Sequence, residues 1–131
     1  MNIKAALNTF EEEIEAILNS LEMDNKLEAA CKGYESLAKN IRSMDLKPDH
    51  EEYREYCRVY AHCLLRLGNM MRAIGEQEEA AKLVKEEWEY AKASGNTLSL
   101  ARSHISLSTN LFAQKKPDEA MDHLNNAFTL F

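Results

Sequence analysis

Glycine and proline are scarce in this chain, with four and two among 131 residues. Most of them fall between long apolar-periodic stretches, which is the punctuation of an all-α protein. No glycine-rich loop follows a strand, so the chain has no phosphate-cradling motif. Long hydrophobic runs are also lacking. Acidic residues from Glu11 interrupt the opening stretch, which leaves no signal peptide or membrane span to expect. Cysteine is limited to Cys31, Cys57 and Cys63. Their odd number and irregular spacing exclude a disulfide framework and suggest reduced thiols in a cytoplasmic protein. Positive charge is short as well. A net charge of −6 argues against a general nucleic-acid binder, which needs a basic field to displace counterions.

What remains is enough for one domain. Hydrophobic residues make up 45% of the chain and charged residues 29%, which suits helices with one buried and one solvated face. Ile3, Leu7, Phe10, Ile14, Ile17 and Leu21 recur at alternating spacings of four and three, placing them on one face of a first helix. Leu27, Ala30, Tyr34, Leu37, Ile41 and Met44 do the same in a second, with Asp24 or Asn25 as its expected N-cap. Pro48 suits the first position of a third helix, whose stripe runs Tyr53, Cys57, Tyr60, Leu64, Leu67, Met71 and Ile74. Gly68 lies beside that stripe and suggests close approach of another helix. A fourth helix turns Ala80, Ala81, Val84, Trp88 and Ala91 inward, and Gly95-Asn96 ends it. A fifth turns Leu100, His104, Leu107 and Leu111 inward. After Lys116-Pro117-Asp118 a sixth carries Ala120, Leu124, Ala127 and Phe131. Turns cut every stripe within four heptads, which disfavours one long coiled coil and leaves a plain helical bundle as the competing architecture.

The second and third helical pairs align at a constant offset of 40 residues. Leu64, Leu67, Gly68, Met71, Gly75, Ala80 and Val84 match His104, Leu107, Ser108, Leu111, Lys115, Ala120 and Leu124. The first pair matches through Ala30, Tyr34 and Leu37. This pattern resembles the tetratricopeptide repeat, although the spacing exceeds that family's usual period of about 34 residues. Glu87 stands where the family has its second alanine, and Lys115 stands in place of the turn glycine. The resemblance implies three tandem antiparallel hairpins, about 2–44, 48–94 and 97–131, in one domain. Their six helices would stack as a short right-handed α-solenoid. It also implies that the first helix of each hairpin lines a concave groove. Carried over by position, the groove residues are His62, Arg66 and Asn69, with Arg102, Ser106 and Thr109 at the offset of 40; Arg58 joins them because Arg58, His62 and Arg66 recur every four residues. Leu65 and Ile105 occupy positions where the family's carboxylate clamp uses polar or basic groups, so that clamp is not reproduced.

No constellation for catalysis is expected. None of His50, His62, His104 and His123 has a glutamate three residues before it, and Cys57 and Cys63 point apart on one helix. Neither a metal nor a cofactor is therefore expected. His104 reads as a packed core histidine, Glu11, Glu12, Glu13 and Glu15 as a solvated face, and Tyr53 and Tyr60 as core. The function these features suggest is a protein-interaction module, with an acidic peptide or free C-terminus as the partner for the groove arginines. An alternative is a homodimer formed through the last hairpin, where Met121, Phe128, Leu130 and Phe131 have no evident internal neighbour. Another is a signal-sensing input domain of a longer regulator.

Overall fold

A computed structural model describes residues 2–130 and is helical almost throughout. Six α-helices follow one another: α1 (Ile3–Ile17), α2 (Leu27–Ser43), α3 (Tyr53–Ala73), α4 (Gln77–Ser94), α5 (Thr97–Ala113) and α6 (Pro117–Leu130). A wider π turn, Leu18–Glu22, extends α1. No strand occurs among the described residues. Each helix packs on its successor, most extensively α3 on α4 and α5 on α6. The odd-numbered helices also touch in a row, α1 to α3 and α3 to α5.

The apolar stripes form the core. Leu7 and Ile14 of α1, Tyr34, Leu37 and Ile41 of α2, and Cys57, Tyr60, Cys63, Leu64 and Leu67 of α3 are all buried in one cluster. Burying a tyrosine removes roughly 150–250 Å2 from water, provided its hydroxyl keeps a partner. Both core tyrosines keep one. Tyr34 donates to Glu22 Oε1 at 2.8 Å and Tyr60 to Glu86 Oε1 at 2.7 Å. Tyr56 is buried too. It stacks near Tyr60 and meets Tyr90 edge-on, so these tyrosines pack on each other. All three cysteines are free and buried.

Three helix ends share one design. Asn25, Gly75 and Lys115 adopt left-handed backbone, with φ of 61°, 92° and 61°. After each, the next amide reaches back to the fifth carbonyl before it: Lys26 to Leu21, Glu76 to Met71 and Lys116 to Leu111, all at 2.8 Å. That is the bond that closes a helix end through a left-handed residue. Five residues beyond each turn stands an alanine, Ala30, Ala80 or Ala120, and all three are 0% exposed. Asn25 therefore closes the first helix, and the N-cap of α2 is Lys26, which makes no side-chain cap bond.

Three further expectations are corrected. Pro48 does not open α3. Residues 49–52 form turns in which the ring Nδ1 of His50 accepts the amide of Glu52 at 3.0 Å, and the helix begins at Tyr53. Gly68 is not a forced approach, because a Cβ there would meet only Leu83 Cβ at 3.8 Å. The tight crossing is at Gly33, where a Cβ would lie 3.2 Å from Ile17 Cδ1. In α5, Leu100, His104, Leu107 and Leu111 are half-buried, whereas Ala101, Ser103, Ser106, Ser108 and Asn110 are buried. The reason is that α5 has neighbours on three sides, α3, α4 and α6. Small residues let all three approach, and Ser108 returns its hydroxyl to the Ile105 carbonyl at 2.7 Å.

Candidate functional site

Helices α3 and α5 present the same register to one groove. Arg58, His62, Leu65 and Asn69 on α3 correspond, at the repeat offset of 40, to Leu98, Arg102, Ile105 and Thr109 on α5. These eight residues contribute to two adjoining cavities that share Leu65 and Arg102. The upper cavity, about 260 Å3, is walled by Arg58, Ala61, His62 and Leu65 of α3, by Asn96 and the first turn of α5, and by Glu87 of α4. The lower one, about 210 Å3, adds Asn69, Ile105, Ser106 and Thr109. The groove is thus apolar along Leu65, Leu98 and Ile105, with cationic groups beside them.

Those cations are not equivalent. Arg58 makes paired bonds to Glu55, the shortest 2.6 Å, and reaches Glu11 Oε1 at 3.0 Å. Its contact with Glu55 raises its pKa. His62 lies 3.5 Å from the other oxygen of Glu11, at the limit of a hydrogen bond. The His62 contact, with help from Arg58, holds the Glu11 carboxyl below its ordinary range despite partial burial. Arg66 turns away from both cavities toward Glu22 Oε2, 3.6 Å distant, and so is not part of the groove wall. Arg102 pairs with no carboxylate among the described residues. Burial and then the charges of Arg66 and Arg58 depress its pKa. An unpaired, half-buried guanidinium beside two others favours an incoming anion.

The remaining expected residues are placed as follows. Asn69 accepts from Arg72 Nη1 at 3.2 Å, and Thr109 returns its hydroxyl to the Ile105 carbonyl. Ser106 is buried and donates to Glu87 Oε2 at 3.3 Å. Glu87 itself is only 2% exposed, and burial pushes its carboxyl up to about 8 against the weaker opposing pull of Ser106 and Arg72. Its signal in the sequence is an acid at a position that is Leu37 and Ala127 in the other hairpins, both buried. Glu11 is the other residue the sequence left out. It sits in a run of glutamates, and only the packing of α1 on α3 separates it from the exposed Glu12, Glu13 and Glu15.

At the far end, Met121 and Phe128 are 47% and 72% exposed and Leu130 is half-buried, while Phe131 lies outside the described residues. His104 is half-buried rather than core, with its Nδ1 3.0 Å from Nδ1 of His123 and its ring against Trp88. Burial, then the nearby His123, lowers its pKa. Among the described residues no three His, Cys, Asp or Glu side chains gather as a metal site, and no helix is long and apolar enough to cross a membrane. No protein-family model, curated protein or solved structure matches the chain.

Proposed function

We propose that this protein is an interaction module, a short tetratricopeptide-like solenoid of three hairpins that captures an acidic peptide segment of a partner protein. The groove between α3 and α5 receives the segment, and the action is binding rather than catalysis. The solenoid reading is supported by the left-handed turn and buried alanine that recur in each hairpin, and by the row of contacts among odd-numbered helices. The observation that carries the binding reading is Arg102, a guanidinium in the wall of both cavities without a carboxylate partner among the described residues. The apolar line Leu65, Leu98 and Ile105 beside it suits a segment that alternates acidic and aliphatic side chains. Removing a charge-assisted contact of this kind costs about 1.5–3 kcal/mol, or roughly tenfold to a hundredfold in affinity. In affinity capture from source cells, Arg102→Ala loses the partners that the wild-type protein retains. An unchanged set of captured proteins removes the groove reading.

The exposed Phe128 and Met121 favour a second reading, in which α6 pairs with α6 of another copy. The two readings use different faces of the molecule and are separable by mutation.

A further inference from the structure

Glu87 is the one residue of α4 in the wall of the upper cavity, and it is an acid where the other hairpins place Leu37 and Ala127. An ionised carboxylate 2% exposed needs a cation or several donors to offset its lost hydration. Among the described residues no cation lies within ion-pair distance, and Ser106 alone donates to it, on Oε2. The charged or titratable groups that face it are Arg58, His62 and Arg72 from α3 and Arg102 from α5. Only the charge of Arg72 reaches it appreciably, and weakly. At neutral pH Glu87 is therefore a carboxylic acid, a hydrogen-bond donor at the floor of a cavity whose rim carries Arg58 and the unpaired Arg102. Asn96, Leu98 and Ser99 at the start of α5 line the same cavity, and Asn96 Oδ1 accepts the Ser99 amide at 2.9 Å.

We propose that this cavity is a proton-linked carboxylate site, in which Arg102 holds the carboxylate of the bound segment and the acid form of Glu87 donates to an acceptor on the same ligand. This rests on the groove reading above and deepens it. It makes Glu87 the residue that decides what the groove accepts. An anion enters a neutral floor, whereas an ionised Glu87 repels it. Conversely, an ammonium group would meet the guanidinium rim and is refused.

Carboxylate binding is then strongest while Glu87 keeps its proton. Above a pH of about 8 the affinity falls, approaching tenfold per pH unit, because one proton must be taken up with each ligand. Glu87→Gln keeps a neutral donor of the same shape and binds without this dependence. Glu87→Leu, which copies Leu37, keeps the fold and loses the donor.

The test is a nuclear magnetic resonance titration of the full chain between pH 7 and 9.5, with the slope read above about pH 7.5, where an ordinary histidine with a pKa of about 6.5 is mostly neutral. The probes are N-acetylglutamate amide, which offers a side-chain carboxylate, and N-acetylleucine, which offers a chain-terminal one. N-acetylglutamine amide is the neutral control. The expected result, read on carbon resonances that do not exchange with solvent, is that one or both carboxylates shift the Cζ of Arg102 and the side-chain carboxyl carbon of Glu87, while the control does not. Which carboxylate binds more tightly identifies the source. The wild-type protein weakens with rising pH, and Glu87→Gln stays flat. Equal pH slopes in wild type and Glu87→Gln overturn the proton link and leave the groove standing. No shift from either carboxylate overturns the site itself, and partner capture by wild type over Arg102→Ala then still reports on the groove independently.

Discussion

A buried acid at position 87 leaves a mark on stability as well as on binding. In the unfolded chain its carboxyl has an ordinary value near 4.5 and is ionised at neutral pH, whereas in the fold it keeps its proton up to about 8. Folding therefore takes up a proton between these limits, and the contribution of Glu87 falls as pH rises from 4.5 to 8 and is level above. The size is on the order of 5 kcal/mol across that window, since each pH unit is worth about 1.4 kcal/mol. Glu87→Gln removes this slope. Urea denaturation at pH 5 and pH 8 is expected to show wild type losing stability relative to the variant at the higher pH. Equal behaviour at both values means that the folded acid titrates normally. Of the residues that line the two cavities, His62 and Asn69 were named from the resemblance, Arg58 from the spacing of four along α3, and Arg102, Ser106 and Thr109 from the offset of 40. The turn of Arg66 away from them was not legible, because one helical position decides whether an arginine meets the groove or Glu22 of the π turn. Glu11 was hidden for the matching reason, since partners across α1 and α3 have no local spacing to betray them.

The helices show where local chemistry agrees with the fold and where it can be improved. Lys115 holds a left-handed φ of 61° at a turn that uses glycine in the preceding hairpin. A side chain in that conformation costs roughly 1–2 kcal/mol relative to the right-handed region, and glycine avoids most of it. Lys115→Gly is expected to raise stability by about 1 kcal/mol, read as a higher thermal midpoint. A lower midpoint would mean that the Lys115 side chain holds the turn by a contact of its own. Gly68 offers a second case. Its ideal Cβ has only an ordinary contact, with Leu83, in the middle of a helix. Gly68→Ala is expected to stabilise by about 0.5–1 kcal/mol by restricting the unfolded chain. Destabilisation would show that α4 needs the space. Apolar periodicity located every helix, since alternating spacings of three and four fit no other regular structure. The start of α3 was missed because proline permits a helix without requiring one, and His50 instead caps a turn at Glu52.

For the whole molecule, the two proposed contacts lie on different faces. The large side chains concentrate between α1, α2 and α3, while α4, α5 and α6 meet through alanines and serines. That leaves Phe128 and Met121 on α6 outside any core. If α6 forms a dimer, Phe128→Glu yields a helical monomer by light scattering while retaining the partners captured through Arg102. A wild-type protein that is already monomeric at high concentration removes the self-pairing reading and leaves the groove as the contact.

The sequence by itself determined the helices and their order, because those follow from periodicity and turn residues close in the chain. Tertiary structure decided what the charges do. It set Glu11 against Arg58, turned Arg66 toward Glu22 and left Arg102 without a carboxylate among the described residues. It also sealed Glu87 beneath the groove. The physical reason is range. A helical stripe is encoded within a few residues, whereas an ion pair or a neutralised acid depends on which helices meet and how much water they exclude.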